Sequence, residues 1–317
     1  MEQASKRSAM TLVRPELIAM AGYEAVEPVE LMAARYGISP ERIAKLDGNE
    51  NLYGPCQAAI DAVAKTPFQI YPDPDQRRLR EALSDYTGVA PELIVAGAGS
   101  DELIDLIARA LLSPGDRILD CPPTFGMYPF AAAVCGATVR RVPRRPDYTL
   151  NLVALKEAVD ERTKLLFLTS PNNPTGNLLS GHELEAVLEL GLVVVVDEAY
   201  IEFAGLEHSH AALVGSHGNL IVMRTFSKWA ALAGLRLGYA LMPAAFADIL
   251  RLIKPPYTPN SAAEAAGLAS LEQRDLLMEH VGEIVAERER LFAELSRIEY
   301  LEPISSQANF ILCRVRG

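Results

Sequence analysis

The sequence predicts an α/β fold, a mostly parallel sheet flanked by helices, accompanied by a smaller α+β unit. Three observations carry this. Strand-like apolar runs alternate with amphipathic helical runs from about residue 93 to residue 240. Leu192–Val196 is a nearly pure valine run, the type buried on both faces of a parallel sheet. Glycines, hydroxyls, amides and carboxylates gather directly after these runs, where open α/β sheets bind their ligands.

The elements follow in order. Pro28–Tyr36 carries a helical apolar stripe and stops at Gly37. Lys45–Pro55, KLDGNENLYGP, is a polar turn that reads equally as surface or as a loop over a pocket. Ala58–Ala64 and Arg78–Thr87 are helices. Between them, IYPDPD cannot be helix or inner strand because of its prolines, and it leaves Tyr71 free to project. Leu93–Gly99 is a strand that turns on glycine into the helix Ser100–Leu112, whose apolar residues recur at helical spacing. Strands at Asp116–Pro122, Thr138–Val142, Lys164–Thr169, Leu192–Val196 and Leu220–Thr225 alternate with helices at Phe130–Val134, Leu152–Val159 and Glu183–Leu190. A small-residue helical stretch is expected from Lys228 to Arg236. Beyond Pro255–Pro259 come helices at Ala262–Gln273 and Asp275–Ile298 and a strand at Gln307–Val315. The predicted division is an arm and part of a small unit over 1–50, a large ligand-binding unit over 51–260, and the remainder of the small unit over 261–317.

Composition narrows the partners. The 317 residues carry a net charge of −11, which argues against a nucleic-acid groove or an anionic membrane as the main partner. No apolar run approaches the length that spans a bilayer, and MEQASKRSAM lacks the apolar centre of a signal peptide. The expectation is a soluble, cytoplasmic protein. The four cysteines are scattered and read as free thiols. His208 and His210 give a weak metal signal that reads better as an exposed loop, so no metal is expected.

The chemistry is concentrated at the strand ends. In VMRTFSKWAALAGLRLGY, Lys228 lies among Met223, Phe226, Trp229, Leu232 and Leu235 at spacings that bury one face. A buried lysine is paired or deprotonated, and a deprotonated one is the nucleophile for a Schiff base. Asp197, directly after four valines, can keep a ring nitrogen protonated. Asn173 and Tyr200 can donate to a phenolate oxygen, and Phe125 can stack on a flat ring. The helix start at Ser100, with Thr225, Ser227 and Arg236, can take a phosphate, Arg236 offsetting Asp101. That set describes pyridoxal 5′-phosphate.

GAGSDELI, CPPTFGMY, SPNNPTG, VVVVDEAYIEF and TFSKWAALAGLRLGY, in this order and at these spacings, resemble the fold type I pyridoxal-phosphate-dependent aminotransferases. LDGNENLYGP, YPDP and SQANFIL narrow the resemblance to the histidinol-phosphate aminotransferase branch. The resemblance covers nearly the whole chain. It implies that Lys228 holds the cofactor and acts as base, and that Asp197 pairs with the ring nitrogen. It implies Asn173 and Tyr200 at the ring oxygen and Phe125 on the ring face. Ser100, Asp101, Thr225, Ser227 and Arg236 fall at the phosphate, and Tyr71 reaches the phosphate of a partner subunit in a homodimer. Tyr23, Asn51, Asn173 and Asn309 fall near the amino-acid substrate.

The implied reaction moves an amino group from a small-molecule donor, L-histidinol phosphate, to the 2-oxo acid 2-oxoglutarate. Rivals are an aromatic amino-acid aminotransferase, a phospho-amino-acid decarboxylase on the same scaffold, and a cofactor-binding protein without turnover. Two departures stand out. Leu52 occupies a position where the family usually has proline. The chain also ends at Gly317, whereas family members continue and carry there the arginine that clamps the substrate carboxylate. The expectation is a truncated chain or a differently held carboxylate, with Arg314 and Arg316 as nearby candidates.

Overall fold

The computed structural model describes residues 8–316. Short helices α1 (Pro15–Ile18) and α2 (Val29–Tyr36) precede α3 (Gln57–Ala64) and α4 (Arg77–Thr87). Strands and helices then alternate: β1 (Ile94–Gly97), α5 (Gly99–Leu111), β2 (Arg117–Asp120), α6 (Met127–Val134), β3 (Thr138–Arg141), α7 (Leu152–Ala158), β4 (Thr163–Thr169), α8 (Gly181–Leu188) and β5 (Val193–Asp197). A single turn, α9 (Ile201–Ala204), leads to β6 (Leu220–Thr225), β7 (Gly238–Leu241) and α10 (Ala244–Ile253). Helices α11 (Ser261–Glu272) and α12 (Arg274–Leu295) follow, and β8 (Leu301–Pro303) and β9 (Cys313–Val315) form a separate antiparallel pair.

The seven-stranded sheet has the order β1-β7-β6-β5-β4-β2-β3. Only β7 runs against its neighbours. Alternation along β5 and β6 divides the core in two. Val194, Val196 and Val222 join one apolar layer, with Trp229 and helices α3, α4 and α11, while Val195, Ile221 and Met223 join the other, with α5, α6 and α10. The capping box of Ser180 and Glu183 starts α8. Helix α11, which opens the segment expected to belong to the smaller unit, packs on α3 and α4 in the first of these layers. No helix among the described residues is long and apolar enough to cross a membrane.

Three local expectations are corrected. The stretch after Lys228 is no helix. Ala231 and Arg236 have φ of 55° and 57°, so the chain folds through turns and one 3-10 turn before entering β7, which the sequence reading missed. The small residues that suggested a helix instead allow this tight path. Ladder pairing after Gln307 is confined to Cys313–Val315. The histidine pair is no exposed loop at His210, which is buried and whose N–H donates to Glu198.

Candidate active site

The carboxyl ends of β4, β5 and β6 lie side by side, beneath a cavity of about 210 Å3. Thr169 ends β4 opposite Asp197, the last residue of β5. Asp197 is buried, and its Oδ2 accepts from the Tyr128 hydroxyl at 2.9 Å and its Oδ1 from the Ala199 N–H at 3.1 Å. The Tyr128 oxygen also lies 2.8 Å from Thr169 Oγ1, so α6 and β4 together hold the carboxylate. Burial pushes the Asp197 carboxyl up to about 6, against the pull of both hydrogen bonds. A carboxylate so placed gains most from a cationic N–H donor entering the cavity.

Lys228 follows β6 through a turn in which the Ser227 N–H donates to Thr225 Oγ1 at 3.1 Å. Its Nζ donates to the Gly48 carbonyl at 3.0 Å and lies 5.7 Å from the centroid of the Tyr200 ring. Burial lowers its pKa, and Glu50 pulls in the opposite direction. The amine is therefore closer to its neutral, nucleophilic form than a surface lysine would be.

Helix α5 supplies the third group. Gly99 has φ +80°, and a Cβ there would stand 2.6 Å from Arg236 Nη2. A Cβ on Gly238 would stand 2.6 Å from the Ser100 nitrogen. The two glycines thus bring the start of α5, strand β7 and Arg236 together. The first-turn N–H groups of a helix have no partner within it, and here they sit beside the cavity-lining Ser100, Thr225, Ser227 and Arg236. Arg236 Nη2 donates to Asp101 Oδ2 at 2.8 Å, which offsets the repulsion that this carboxylate would exert on an anion.

Phe125 also lines the cavity, edge-on to Tyr128 at 5.6 Å between centroids. The Tyr200 hydroxyl accepts from Asn49 Nδ2 at 3.1 Å and lies 3.4 Å from Asn173 Nδ2. Burial pushes the Tyr200 phenol up to about 12. A lysine amine, a buried carboxylate, an aromatic face and an anion cup therefore line one slot, and this donor set fits a flat phosphorylated pyridine carrying an aldehyde.

Residues 41–315 match the family described as aminotransferase class I and II. The chain belongs to this family. It is 50% identical to histidinol-phosphate aminotransferase of Roseiflexus castenholzii, a match spanning 96% of this chain and 83% of that protein. It is 48% identical to the chloroplastic histidinol-phosphate aminotransferase 1 of Arabidopsis thaliana, over 96% of this chain and 73% of that one. The crystal structure of histidinol-phosphate aminotransferase from Sinorhizobium meliloti in complex with pyridoxal-5′-phosphate superposes with a TM-score of 0.85 at 26% identity, covering 98% of this chain and 83% of that one.

In this aminotransferase the cavity brings together ten of the residues singled out in the sequence: Ser100, Asp101, Phe125, Asn173, Asp197, Tyr200, Thr225, Ser227, Lys228 and Arg236. Four others lie off its wall. Asn51 is turned away, its amide donating to the Trp229 carbonyl at 3.2 Å while its oxygen accepts the Tyr53 N–H at 3.1 Å. Asn309 donates to the Asn49 carbonyl at 3.0 Å and braces the loop from behind. Tyr23 packs edge-on against Phe125 at 6.3 Å between centroids. Tyr71 lies on an exposed surface, stacked on Tyr257 at 4.3 Å, outside this chain's cavity.

Tyr128, Thr169, Asn49 and Glu50 carried no assigned role in the sequence. Thr169 was signalled as the last residue of a buried strand beside Asp197. Asn49 and Glu50 belonged to a polar triplet whose members could not be ranked without knowing which way each points. Tyr128 ends the CPPTFGMY motif, but its role depends on a partner 69 residues away.

Proposed function

We propose that this cavity holds pyridoxal 5′-phosphate and that the chain transfers the amino group of L-histidinol phosphate to 2-oxoglutarate, giving imidazole acetol phosphate and L-glutamate. The observation that carries this reading is the shared slot of Lys228, Asp197 and the Arg236 cup at adjacent strand ends. The relatives at about half identity support the choice of substrate.

When bound, pyridoxal 5′-phosphate supplies an aldehyde that condenses with amines and a pyridinium ring that draws electrons from the neighbouring carbon. The chain's residues do the rest. Lys228 Nζ would hold the group covalently and, once displaced by the donor's amine, would act as the base that takes the proton from the donor's α carbon. Asp197 stays ionised to keep the ring nitrogen protonated. Asn173 and Tyr200 donate to the ring oxygen, and Phe125 covers one ring face. Ser100, Thr225, Ser227 and Arg236 bind the phosphate, with Asp101 orienting Arg236. Tyr23 and Asn173 border the substrate side, and Asn51 and Asn309 support it through the backbone of Trp229 and of Asn49. Tyr71 serves the phosphate of a second copy in a homodimer, an assignment its exposure supports. The large unit over 51–260, with α11 packed onto it, carries the cofactor, the smaller unit is formed from 1–50 and the rest of 261–317, and the protein works in the cytoplasm.

The test is the half-reaction, followed by the conversion of bound cofactor to its amine form. L-Histidinol phosphate is expected to react much faster than L-phenylalanine. Equal or reversed rates would replace this reading with an aromatic aminotransferase, and release of CO2 from a phospho-amino acid would replace it with a decarboxylase.

A further inference from the structure

Directly behind the cavity the chain buries three ionisable side chains that the proposed chemistry leaves idle. Glu198, Glu202 and Arg224 are each 3% exposed or less. Strand alternation explains their side of the sheet. Asp197 and Thr225 face the cavity, so Glu198, one residue after Asp197, and Arg224, one residue before Thr225, face the opposite layer. The Glu198 N–H still joins the ladder, donating to the Met223 carbonyl at 2.8 Å.

The pair is closely tied. Arg224 Nε donates to Glu198 Oε2 at 3.0 Å, and its Nη2 donates to Ser209 Oγ. Ser209 Oγ donates to the same Glu198 oxygen at 2.7 Å, and the His210 N–H donates to Oε1 at 2.6 Å. The connection between β5 and β6 is thus pinned to both strand ends. Glu202 accepts from the Tyr86 hydroxyl at 3.3 Å, and the Tyr86 ring stacks at 5.5 Å on Trp229, the residue after Lys228.

Stability does not account for this arrangement. A buried ion pair costs heavy desolvation, and a well-packed apolar pair of similar volume often does as well or better. What the pair does is join the end of β5 to the end of β6. We propose that Arg224 and Glu198 are positioning residues whose buried pair fixes the spacing of Asp197 and Tyr200 against Lys228. The proposal rests on the cofactor-binding reading above.

The test uses the full chain with pyridoxal 5′-phosphate and the variants Glu198→Leu/Arg224→Met, Arg224→Lys and Glu198→Gln/Arg224→Gln. The apolar double variant, which removes the acceptor of the His210 N–H and of Ser209 Oγ, is expected to fold with a lowered melting temperature. Its cofactor dissociation constant is expected to rise, and its kcat per occupied site to fall, each by about tenfold to a hundredfold. The KM for the donor stays within about threefold, the split that marks lost positioning rather than lost substrate binding. Arg224→Lys, which keeps the charge but loses the fork, falls between parent and double variant. Should the apolar pair fail to fold, the glutamine pair carries the same measurements. Unchanged retention and rate in a folded variant, or losses that follow the melting temperature alone, would overturn the proposal. A parent chain that shows no near-visible cofactor band would instead overturn the functional reading.

Discussion

The cavity has two walls of different construction. One is made at the ends of strands: Thr169, Asp197 and Thr225 close β4, β5 and β6, and Thr169 and Asp197 are opposite one another in the ladder. The other wall, Val26, Gly48 and Glu50, comes from a segment without a strand. That segment is held by single contacts: Asn49 on Tyr200, Lys228 on Gly48, Asn51 on Trp229 and Asn309 on Asn49. Its Leu46 and Leu52 are open to solvent. Moving a strand end breaks a cooperative ladder, whereas moving this loop breaks a few hydrogen bonds. The sheet wall is therefore suited to the bond-making groups, and the loop wall to admitting and fitting the substrate.

Deleting Lys228 is the most severe way to break the comparison. Lys228→Ala is expected to abolish the borohydride-fixable absorbance band and to lower turnover by about 10²–10⁴-fold. The check is single-turnover absorbance on cofactor-loaded protein, with peptide mapping of the reduced parent. A band that survives the substitution would move the chemistry away from the sheet wall.

Asp197→Asn comes next. It removes a charge-assisted hydrogen bond worth about 1.5–3 kcal/mol, or about 10–100-fold in rate. It also has a signature in the cofactor-free protein. The Asp197 carboxyl is raised from 3.8 to about 6 by burial, so the folded state binds its proton more tightly than the unfolded chain does. The associated stability is fully present below about pH 4 and lost as pH rises through about 6, a swing of about 3 kcal/mol. Asparagine has no proton to lose. Denaturant melts should therefore find Asp197→Asn gaining on the parent between pH 4 and pH 7, and a constant difference would contradict the raised carboxyl.

The two walls also differ in how legible they were. The sheet wall could be read because a buried valine run announces a strand, and the polar residue that ends it has one place to go. Asp197, Thr225, Ser227 and Lys228 were found in this way. The turn from Lys228 to Arg236 was misread as helix because its alanines and leucines carry helix propensity, while its left-handed residues are set by tertiary packing. Tyr128 was missed because its meaning depends on a carboxylate brought in by a different strand. In the loop wall, Asn49, Glu50 and Asn51 are consecutive polar residues, and backbone direction decides which of them reaches the cavity. Asn51 was singled out there; Glu50 lines the cavity and Asn49 reaches Tyr200, while Asn51 holds the Trp229 carbonyl.

The mildest expected effect tests the loop wall by itself. Asn49 has φ 50°, so glycine rather than alanine removes its amide without straining the backbone. Asn49→Gly deletes the 3.1 Å donor to Tyr200 and leaves Asn173 Nδ2 at 3.4 Å as that hydroxyl's remaining amide neighbour. One hydrogen bond of this kind is worth about 1 kcal/mol, or about fivefold. The expected result is a KM for the amino donor raised by about that factor, with kcat within about twofold. Steady-state kinetics measure the effect. A kcat loss comparable to that of Asp197→Asn would mean that the loop holds a group in the bond-making step and that the walls do not divide the work.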